Sequence, residues 1–572
     1  MNHSSTERVI TGDPYLRLSL LQIPRILTLQ DRNPFSPTYG SFARTYWLDR
    51  TSDFPTALAQ FATQALALVY SHDMPDNPYF AQPKVLNWIK AGMRNFISLA
   101  HDDGSFDEFY PGERGWAGPT GFLVHAMADS YLLLKNEIDG NLAADLLATL
   151  RTAGLFLGRY DEIGTLANHY AMAALAIRCA HRVTGDPALL PGYQKVLDQT
   201  LALFHDEGWG REYDGADIGY LSASVSFMSK LYAIDPDPRI LTMIERAIAF
   251  TAYFVYPDGH FAGTLGSRNT LHFYPHGYEL MAPQNPLAAK IGEAMVHGLD
   301  RGALVPPHIM ADRYFLYRVP EFLLSYIDFH KRPESDLRLP YEDDDFEKHV
   351  EAGRYFIAKK RSDYVVANAG KGGVVKCFDI AAQKLVLADC GVMLKKDDGT
   401  WSSQWVDDQY RVSFQDGGFS VEGAFHKLPA KLFTPARQIA FRLFLILFAW
   451  NTTIAYKLKG VIRDLLMLAH KPGTDRFRRT VTLTDETLEI ADRITPGEGI
   501  VRDVLIGDDI PVRYVPQSRY FQPQELEARG WQLTPRQIAA LNRDGITHIR
   551  RLDLATSAVT VEIRNMQGDV VE

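Results

Sequence analysis

The pair Asn168-His169 is the sharpest chemical signal in the sequence. It opens an apolar segment with helical periodicity and follows the turn-like Gly164-Thr165. An amide and an imidazole at a helix N-terminus present hydrogen-bond donors, and the helix dipole favours an anion there. The pair is therefore a candidate site for a substrate carboxylate. In the alternative interpretation Asn168 only caps the helix and His169 packs, which is a common use of such residues.

Tyr220 lies 52 residues after Asn168 (220 minus 168), at the head of another predicted helix. The acidic and glycine-containing segment 212–219 precedes it. If helical hairpins repeat about every 50 residues, equivalent loops of neighbouring hairpins meet at one end of the stack. We therefore predict that Asn168 and Tyr220 face the same cleft.

A third polar cluster follows about one repeat later, in the segment 266–279. So many titratable and hydrogen-bonding side chains in one stretch indicate a loop that carries function on a rigid scaffold. An ordinary connecting loop is the alternative. The polar residues of this segment are Arg268, Asn269, His272, Tyr274, His276 and Tyr278.

The elements around these residues are helical from about Phe54 to Phe329, where apolar residues recur at three- and four-residue spacing. Turn-rich phrases recur after predicted helices, at 103–106, 207–210 and 258–261. Paired helices that stack on their neighbours predict a closed ring of hairpins, an (α/α) toroid. An open solenoid is the alternative, because periodicity alone does not distinguish the two.

Helical patterning stops at the acidic segment 341–347, and alternating patterns typical of short strands follow. We predict a multidomain α+β protein with an N-terminal (α/α) toroid followed by a C-terminal antiparallel β-sandwich. The predicted units are an N-terminal extension (1–40), the toroid (41–340) and the sandwich (345–572), with helical insertions near 435–470 and 522–543.

Composition excludes several classes of protein. The 572 residues carry a formal net charge of -9, so a nucleic-acid binder with a broad basic surface is not expected. Three cysteines without metal-ligand spacing do not indicate a disulfide framework. The N-terminus lacks the order of a secretory signal, so we expect a cytoplasmic protein.

One apolar stretch bears on membrane association. Leu443 to Tyr456 is uncharged over 14 residues, whereas a bilayer span needs about 20. Basic residues between 437 and 463 suit a helix at a membrane surface, and this would be a peripheral contact. The length favours the alternative, a buried helix packed on the sandwich.

These features together resemble the heparinase II/III-like polysaccharide lyases, a superfamily that includes heparinase III and toroid-type alginate and oligoalginate lyases. The resemblance implies that Asn168 and His169 bind and neutralise a uronate carboxylate. It implies that Tyr220 is the general acid or base, and that His272 or His276 supplies a second basic group. The implied partner is an acidic polysaccharide or oligosaccharide.

The resemblance also bears on cofactors and on substrate contacts. Some relatives hold a structural metal in the sandwich, but His426 has no evident partner in the sequence, so no metal ligand is assigned. A structural divalent metal stays open, and no redox cofactor is expected. Substrate contacts are predicted for Tyr170, Arg268, Tyr274, Glu212, Trp116 and Trp209.

The chemistry agrees with these assignments. Removal of the C5 proton of a uronic acid builds charge on the carboxylate, and donors that stabilise this charge lower the barrier. A tyrosine can take that proton if its pKa of about 10 is lowered by a neighbouring positive charge. His169 or Arg268 would supply that charge.

Three other functions stay open. A C5-epimerase would use the same carboxylate site without breaking the glycosidic bond. A glycoside hydrolase would need two carboxylates about 5 to 9.5 Å apart. A non-catalytic protein would stack aromatic side chains on sugar rings. The acids available to a hydrolase are Asp103, Asp107, Glu108, Glu212 and Asp217.

Overall fold

Helices occupy the first part of the chain and strands most of the second. The computed structural model describes residues 12–162, 164–332, 336–429, 434–463, 471–515 and 519–571. The helices are α1 (Asp13–Leu20), α2 (Ile23–Leu29), α3 (Arg44–Trp47), α4 (Ala62–Ser71), α5 (Pro83–Leu99), α6 (Phe122–Leu134), α7 (Gly140–Arg159), α8 (Ala167–Thr184), α9 (Leu190–Ala202), α10 (Ile218–Ile234), α11 (Pro238–Thr251), α12 (His276–Met281), α13 (Pro286–Asp300), α14 (Asp312–Ile327), α15 (Pro435–Phe448), α16 (Thr452–Arg463) and α17 (Pro535–Asp544).

The strands form one small hairpin within the helical part and two sheets after it. They are β1 (Arg211–Glu212), β2 (Gly215–Ala216), β3 (Phe346–Val350), β4 (Tyr355–Lys360), β5 (Asp363–Asn368), β6 (Val374–Asp379), β7 (Lys384–Asp389), β8 (Val392–Lys396), β9 (Gly399–Ser402), β10 (Arg411–Gln415), β11 (Gly418–Lys427), β12 (Pro472–Leu483), β13 (Thr487–Thr495), β14 (Val501–Ile506), β15 (Trp531–Gln532), β16 (Ile546–Asp553) and β17 (Val559–Asn565).

The helical part closes into a ring. Among the described residues, α4, α6, α8, α10, α12 and α14 each contact the next helix in this series, and α14 returns to α4. The inner helices are largely buried because neighbouring helices cover most of their faces. In α10, every residue from Ile218 to Leu231 is buried. The outer helices α5, α7, α9, α11 and α13 pack between them. The predicted toroid is confirmed, and the open solenoid is not.

The predicted N-terminal extension is not a separate unit over its described part. Helix α1 packs on α14 and α13. Tyr15 is fully buried, and its hydroxyl donates to Glu279 Oε1 at 3.1 Å. The described part of this extension therefore packs on the toroid through an apolar face at Tyr15, Leu16 and Leu18.

The second half is an antiparallel sandwich, as predicted. A five-stranded sheet has the order β3-β4-β5-β6-β7. A ten-stranded sheet has the order β15-β14-β8-β9-β11-β12-β13-β16-β17, with β10 beside β11. Inward side chains of both sheets form one apolar core.

Side chains of the sandwich half donate hydrogen bonds to backbone carbonyl groups of the toroid loop 263–275. The Tyr355 hydroxyl donates to the Leu265 carbonyl at 3.1 Å, and the Asn368 amide donates to the same oxygen at 2.7 Å. The buried Lys371 ammonium donates to the Thr264 carbonyl at 2.7 Å. The sandwich therefore fixes the loop that carries the third polar cluster.

The two predicted insertions contain helices. In the second, Thr534 caps α17 with a reciprocal capping box. In the first, α15 and α16 form a hairpin, and residues 464–470 of that insertion lie outside the described residues. No helix in the described part of the chain has both the length and the hydropathy required to cross a bilayer.

The expectation of a buried helix packed on the sandwich is wrong for α15. Its Leu445 and Ala449 pack instead on Tyr110 of a toroid loop. Its opposite face is exposed, and Ile446 is 75% exposed. Helix α15 is therefore not buried on all sides: one face packs on the toroid and the other is exposed to solvent.

Candidate functional site

Helices α8 and α10 begin at the same end of the ring. Leu166, which precedes α8, forms a β-bridge with Glu212 of β1. Strand β1 pairs with β2, and β2 leads through Asp217 directly into α10. Asn168 and Tyr220 therefore lie in the first turns of two neighbouring inner helices.

Asn168 is held by Glu212. The backbone N–H and the side-chain Nδ2 of Asn168 both donate to Glu212 Oε1, at 2.5 and 2.8 Å. Glu212 is 1% exposed, and burial raises its pKa to about 8. We predicted a substrate contact for Glu212, but its burial makes it a positioning residue for Asn168.

His169 lies within ion-pair distance of Glu162. Its Nδ1 lies 3.0 Å from Glu162 Oε2, and its side chain is 22% exposed while that of Glu162 is 1% exposed. A carboxylate at Nδ1 fixes the tautomer and orientation of an imidazole. A Cβ atom on Gly118 would lie 3.0 Å from Glu108 Oε2 and 3.8 Å from His169 Cε1. The absence of a side chain at Gly118 therefore lets Glu108 and His169 approach each other.

Tyr220 belongs to a cluster of aromatic and basic side chains. A hydrogen bond joins its phenol to that of Tyr314. The ring of His272 stacks on Tyr314, with centroids 5.0 Å apart. Burial raises the pKa of Tyr314, while the positive charge of Arg313 and the bond to Tyr220 oppose that rise. Arg313 also forms an ion pair with Glu108.

A second group of cations lines the contact between toroid and sandwich. The Arg268 guanidinium bonds to Asp214 at 3.0 Å and lies 4.1 Å from the centroid of Tyr213. Arg513, from the sandwich half, pairs with the same aspartate. The side chain of Arg268 is 3% exposed, so it links the two halves rather than presenting an open surface to substrate.

His426 has partners that its sequence neighbourhood did not indicate. Its Nε2 lies 2.9 Å from Asp407 Oδ2, and its ring stacks on Trp405 at 4.8 Å. Trp405 in turn lies under Arg513, 4.0 Å from the guanidinium carbon. Strand β11 brings His426 to the loop 403–409, a proximity that the sequence alone does not indicate.

The structure does not bring His276 to Tyr220. His276 Nε2 bonds to Asp328 at 2.7 Å, and its backbone N–H donates to Glu321 at 3.2 Å. Glu321 forms a 2.5 Å ion pair with Lys230, which lies ten residues beyond Tyr220 on α10. Ten helical residues span about 15 Å. His276 is thus part of an interior ion-pair cluster, whereas His272 stacks on Tyr314, the hydrogen-bond partner of Tyr220.

The remaining predicted contacts are largely packing residues. Trp116 is 1% exposed and donates to the Leu157 carbonyl at 2.9 Å. Tyr170 packs against it, and burial raises the pKa of Tyr170 to about 12. Tyr274 is buried beneath Arg318. All three aromatic side chains are buried, because removing their apolar surface from water is more favourable than leaving it exposed to solvent and substrate.

Trp209 lies at the contact with the sandwich. Its Nε1 donates to Glu207 Oε2 at 2.9 Å, and that carboxylate also accepts from the Gly353 N–H at 3.0 Å. These bonds link Trp209 to the sandwich half, and its contact with substrate stays a prediction.

Several residues of this site were not predicted from the sequence. Arg313 and Tyr314 open α14, and Tyr317 follows one turn later on the same helix. That spacing of aromatic residues beside an arginine was a usable signal. Glu162 and Arg513 carry no local signal, because each reaches the site only through the folded chain.

One group of side chains has atoms close enough to share a metal ion. In the part of the chain that the structure describes, His125, Asp129 and Cys179 offer ligand atoms within 4.8 Å of one another. Cys179 approaches Nδ1 of His125 at 3.7 Å, while Asp129 approaches Nε2 at 3.5 Å. Because different ring nitrogens face the two partners, the imidazole bridges them. Cys179 also lies eleven residues beyond Asn168 on α8, about 16 Å away, so this group is separate from the candidate site.

Comparisons with known proteins find likeness in structure only. No family model matches the sequence, and no curated protein matches it. The solved chondroitin AC lyase of Streptomyces coelicolor A3, in complex with chondroitin sulphate, is 12% identical with a TM-score of 0.49, covering 86% of this chain and 71% of that chain. A heparinase III is 11% identical with a TM-score of 0.42, covering 87% and 72%.

A third solved structure covers a smaller share of this chain. An unsaturated glucuronyl hydrolase specific for heparin is 9% identical with a TM-score of 0.40, covering 55% of this chain and 96% of that chain. At these identities the likeness is one of fold alone.

Proposed function

We propose that the protein is a polysaccharide lyase that cleaves a uronic-acid-containing polymer by β-elimination. The observation that supports this most is the placement of three side chains. Asn168 and His169 open α8, Tyr220 opens the neighbouring α10, and the β1–β2 hairpin ties the two helix starts together. An anion-binding helix terminus beside a phenol suits proton abstraction next to a carboxylate.

The first step concerns the carboxylate. The uronate carboxylate binds at the N-terminus of α8, where Asn168 and His169 face it. When the C5 proton leaves, negative charge develops on the carboxylate oxygens, and donors held in advance stabilise that charge without rearranging. Glu212 and Glu162 fix the amide and the imidazole for this purpose.

The second step concerns the proton. The ionised Tyr220 phenol takes the C5 proton, the C5–H electron pair forms the C4–C5 double bond, and the C4–O4 bond breaks. The departing O4 accepts a proton from the Tyr220 phenol, which restores the phenolate. A hydrogen bond joins the Tyr220 phenol to that of Tyr314, and Arg313 supplies positive charge beside Tyr314.

Replacing Tyr220 by phenylalanine tests the proposal. Uronate polymers are incubated with each variant, and absorbance of the new C4–C5 double bond is followed. We expect a fall in rate of at least about 100-fold for Tyr220→Phe, since the proton-transfer group is removed. Tyr232→Phe, farther along the same helix, should keep the wild-type rate. Full activity of Tyr220→Phe on a polymer that the wild type cleaves contradicts the proposal.

A C5-epimerase is the second candidate. It is favoured by the His169–Glu162 pair, which is a second proton-transfer group on the helix next to Tyr220. One group would take the C5 proton and the other would return a proton to the opposite face. Deuterium entering C5 from heavy water, without new absorbance, would identify this reaction.

A glycoside hydrolase is less well supported, because the candidate acids have other partners. Asp103 and Asp107 accept from backbone N–H groups of their own loop. Asp217 caps α10, and Glu108 is paired with Arg313. Carboxylates that serve as caps and ion pairs are poorly placed as an acid and base pair across a glycosidic bond.

A further inference from the structure

The helical hairpin formed by α15 and α16, here called the arm, carries an exposed apolar face. Ile439, Leu443, Ile446 and Trp450 follow one another at three- and four-residue steps and so lie on one side of α15 and its C-terminal end. Ile446 is 75% exposed and Trp450 is 74% exposed. Exposed apolar patches of this kind mark interaction sites on soluble domains.

The opposite side of the arm is anchored on the toroid. Leu445 and Ala449 are buried with Tyr110, and the rings of Phe441 and Tyr110 pack edge to face at 5.3 Å. Arg442 pairs with Asp53 of the toroid at 2.8 Å. The exposed face is therefore the outer side of a docked element, not the result of a detached segment.

The charged residues of the arm itself are all basic. Between Gly423 and Arg463 the sequence has no aspartate or glutamate, although the whole chain has a formal net charge of -9. Arg437 and Lys457 are exposed on the arm. The two helices of the arm contain five basic residues: Arg437, Arg442, Lys457, Lys459 and Arg463.

We propose that the arm docks on the surface of a bilayer that contains anionic lipids. The apolar face enters the boundary between headgroups and acyl chains, and the exposed Arg437 and Lys457 contact the lipid phosphates. A second copy of the chain would bring the like charges of two arms together, which disfavours that occupant. The proposal does not depend on the reaction that the site catalyses.

The arm contacts two loops that carry residues of the candidate site. Tyr110 belongs to the loop that carries Glu108, the partner of Arg313. The Tyr456 hydroxyl bonds to the backbone carbonyl of Asp161, next to Glu162, the partner of His169. An arm bound to a bilayer therefore holds these two loops of the candidate site near the lipid surface, where a membrane-attached polysaccharide would be within reach.

Vesicle co-sedimentation tests the proposal with the full chain. Vesicles of phosphatidylcholine alone are compared with vesicles that also contain phosphatidylglycerol. We expect binding to the anionic vesicles that weakens as salt is raised, because surface charges are screened. The double variant Leu443→Asp/Ile446→Asp should bind on the order of tenfold or more weakly, since two apolar side chains no longer leave water.

A matched control separates this effect from a general loss of surface apolarity. Leu526, outside the arm, is 76% exposed, so Leu526→Asp removes a similar side chain and should sediment like the wild type. Thermal unfolding of all variants checks that they fold. The proposal is overturned if wild type does not bind anionic vesicles, or if the double variant binds them as well as wild type does. A wild-type dimer that the double variant abolishes, without vesicle binding, assigns the face to a second copy instead and also overturns it.

Discussion

Asn168 makes two hydrogen bonds to a single carboxylate oxygen, Glu212 Oε1. The amide is thus oriented before any ligand arrives, which reduces the ordering cost of binding an anion. The second oxygen of Glu212 is buried among the helix starts. Because water does not solvate that carboxylate, its neutral form is favoured, and the pKa rises to about 8.

Glu212→Gln should change the pH dependence of stability. In the wild type, the pKa of this carboxyl rises from an ordinary 4.5 to about 8 on folding. The stability associated with neutral Glu212 is therefore fully present below about pH 4.5 and is lost as the pH rises to about 8. Glutamine keeps an acceptor for Asn168 and does not ionise. As the pH rises from 5 to 8, the melting temperature of the variant should increase relative to that of wild type. Scanning calorimetry measures both.

The companion variant Glu212→Ala separates charge from positioning. It leaves both donors of Asn168 without their acceptor, so activity should fall although activity of Glu212→Gln largely persists. A constant difference in melting temperature between Glu212→Gln and wild type at all pH values contradicts the assigned shift.

At the scale of elements, the site depends on where helices begin. Asp217 caps α10, accepting from the Tyr220 N–H at 3.1 Å with one oxygen and from the Arg268 N–H at 2.9 Å with the other. One side chain thus joins the first turn of α10 to the loop of the third polar cluster. Gly219 makes this approach possible, because a Cβ there would lie 2.6 Å from the Thr270 carbonyl oxygen.

Asp217→Ala should therefore reduce both stability and activity. Loss of an N-cap costs about 1–2 kcal/mol, and displacement of Tyr220 should lower the rate by about 100-fold. Asp237→Ala is the matched control: Asp237 caps the outer helix α11 by accepting from the Arg239 N–H. That variant should lose similar stability in denaturant unfolding and keep its activity. Equal activity in both variants would show that the cap of α10 has no part in positioning Tyr220.

At the scale of the whole molecule, one buried aspartate joins the two halves. Asp214 pairs with Arg268 of the toroid and with Arg513 of the sandwich half. The three side chains are between 3% and 12% exposed. Charges that are removed from water in this way depend on their partners.

Asp214→Ala should destabilise the protein by about 3–5 kcal/mol, because two buried guanidinium groups lose their counter-charge. Asp397→Ala, which breaks the exposed pair with Arg502, should cost far less, because water solvates both charges. Denaturant unfolding followed by fluorescence measures both. Similar losses in the two variants would contradict a special role of Asp214 at the junction.

Much of the fold could be predicted because it depends on local pattern. Apolar residues at helical spacing identified the inner helices, and the alternation after residue 345 identified the strands. The 52-residue spacing of Asn168 and Tyr220 led us to expect a shared cleft, and their two helices do begin side by side. Sequence did not separate His272 from His276. The first precedes α12 and stacks on Tyr314, whereas the second begins the helix and bonds to Asp328.

By itself, the sequence determined the helix starts, the caps and the order of the two halves, since each depends on residues within a few positions of one another. Only the tertiary structure decided which polar side chains share space. Arg313 and Glu108 are 205 residues apart, and they pair because ring closure places α14 beside α4, and the loop of Glu108 is bonded to the segment that leads into α4. Asp214 and Arg513 meet because the sandwich docks on the toroid. Such contacts follow from packing between distant elements, which no local pattern encodes.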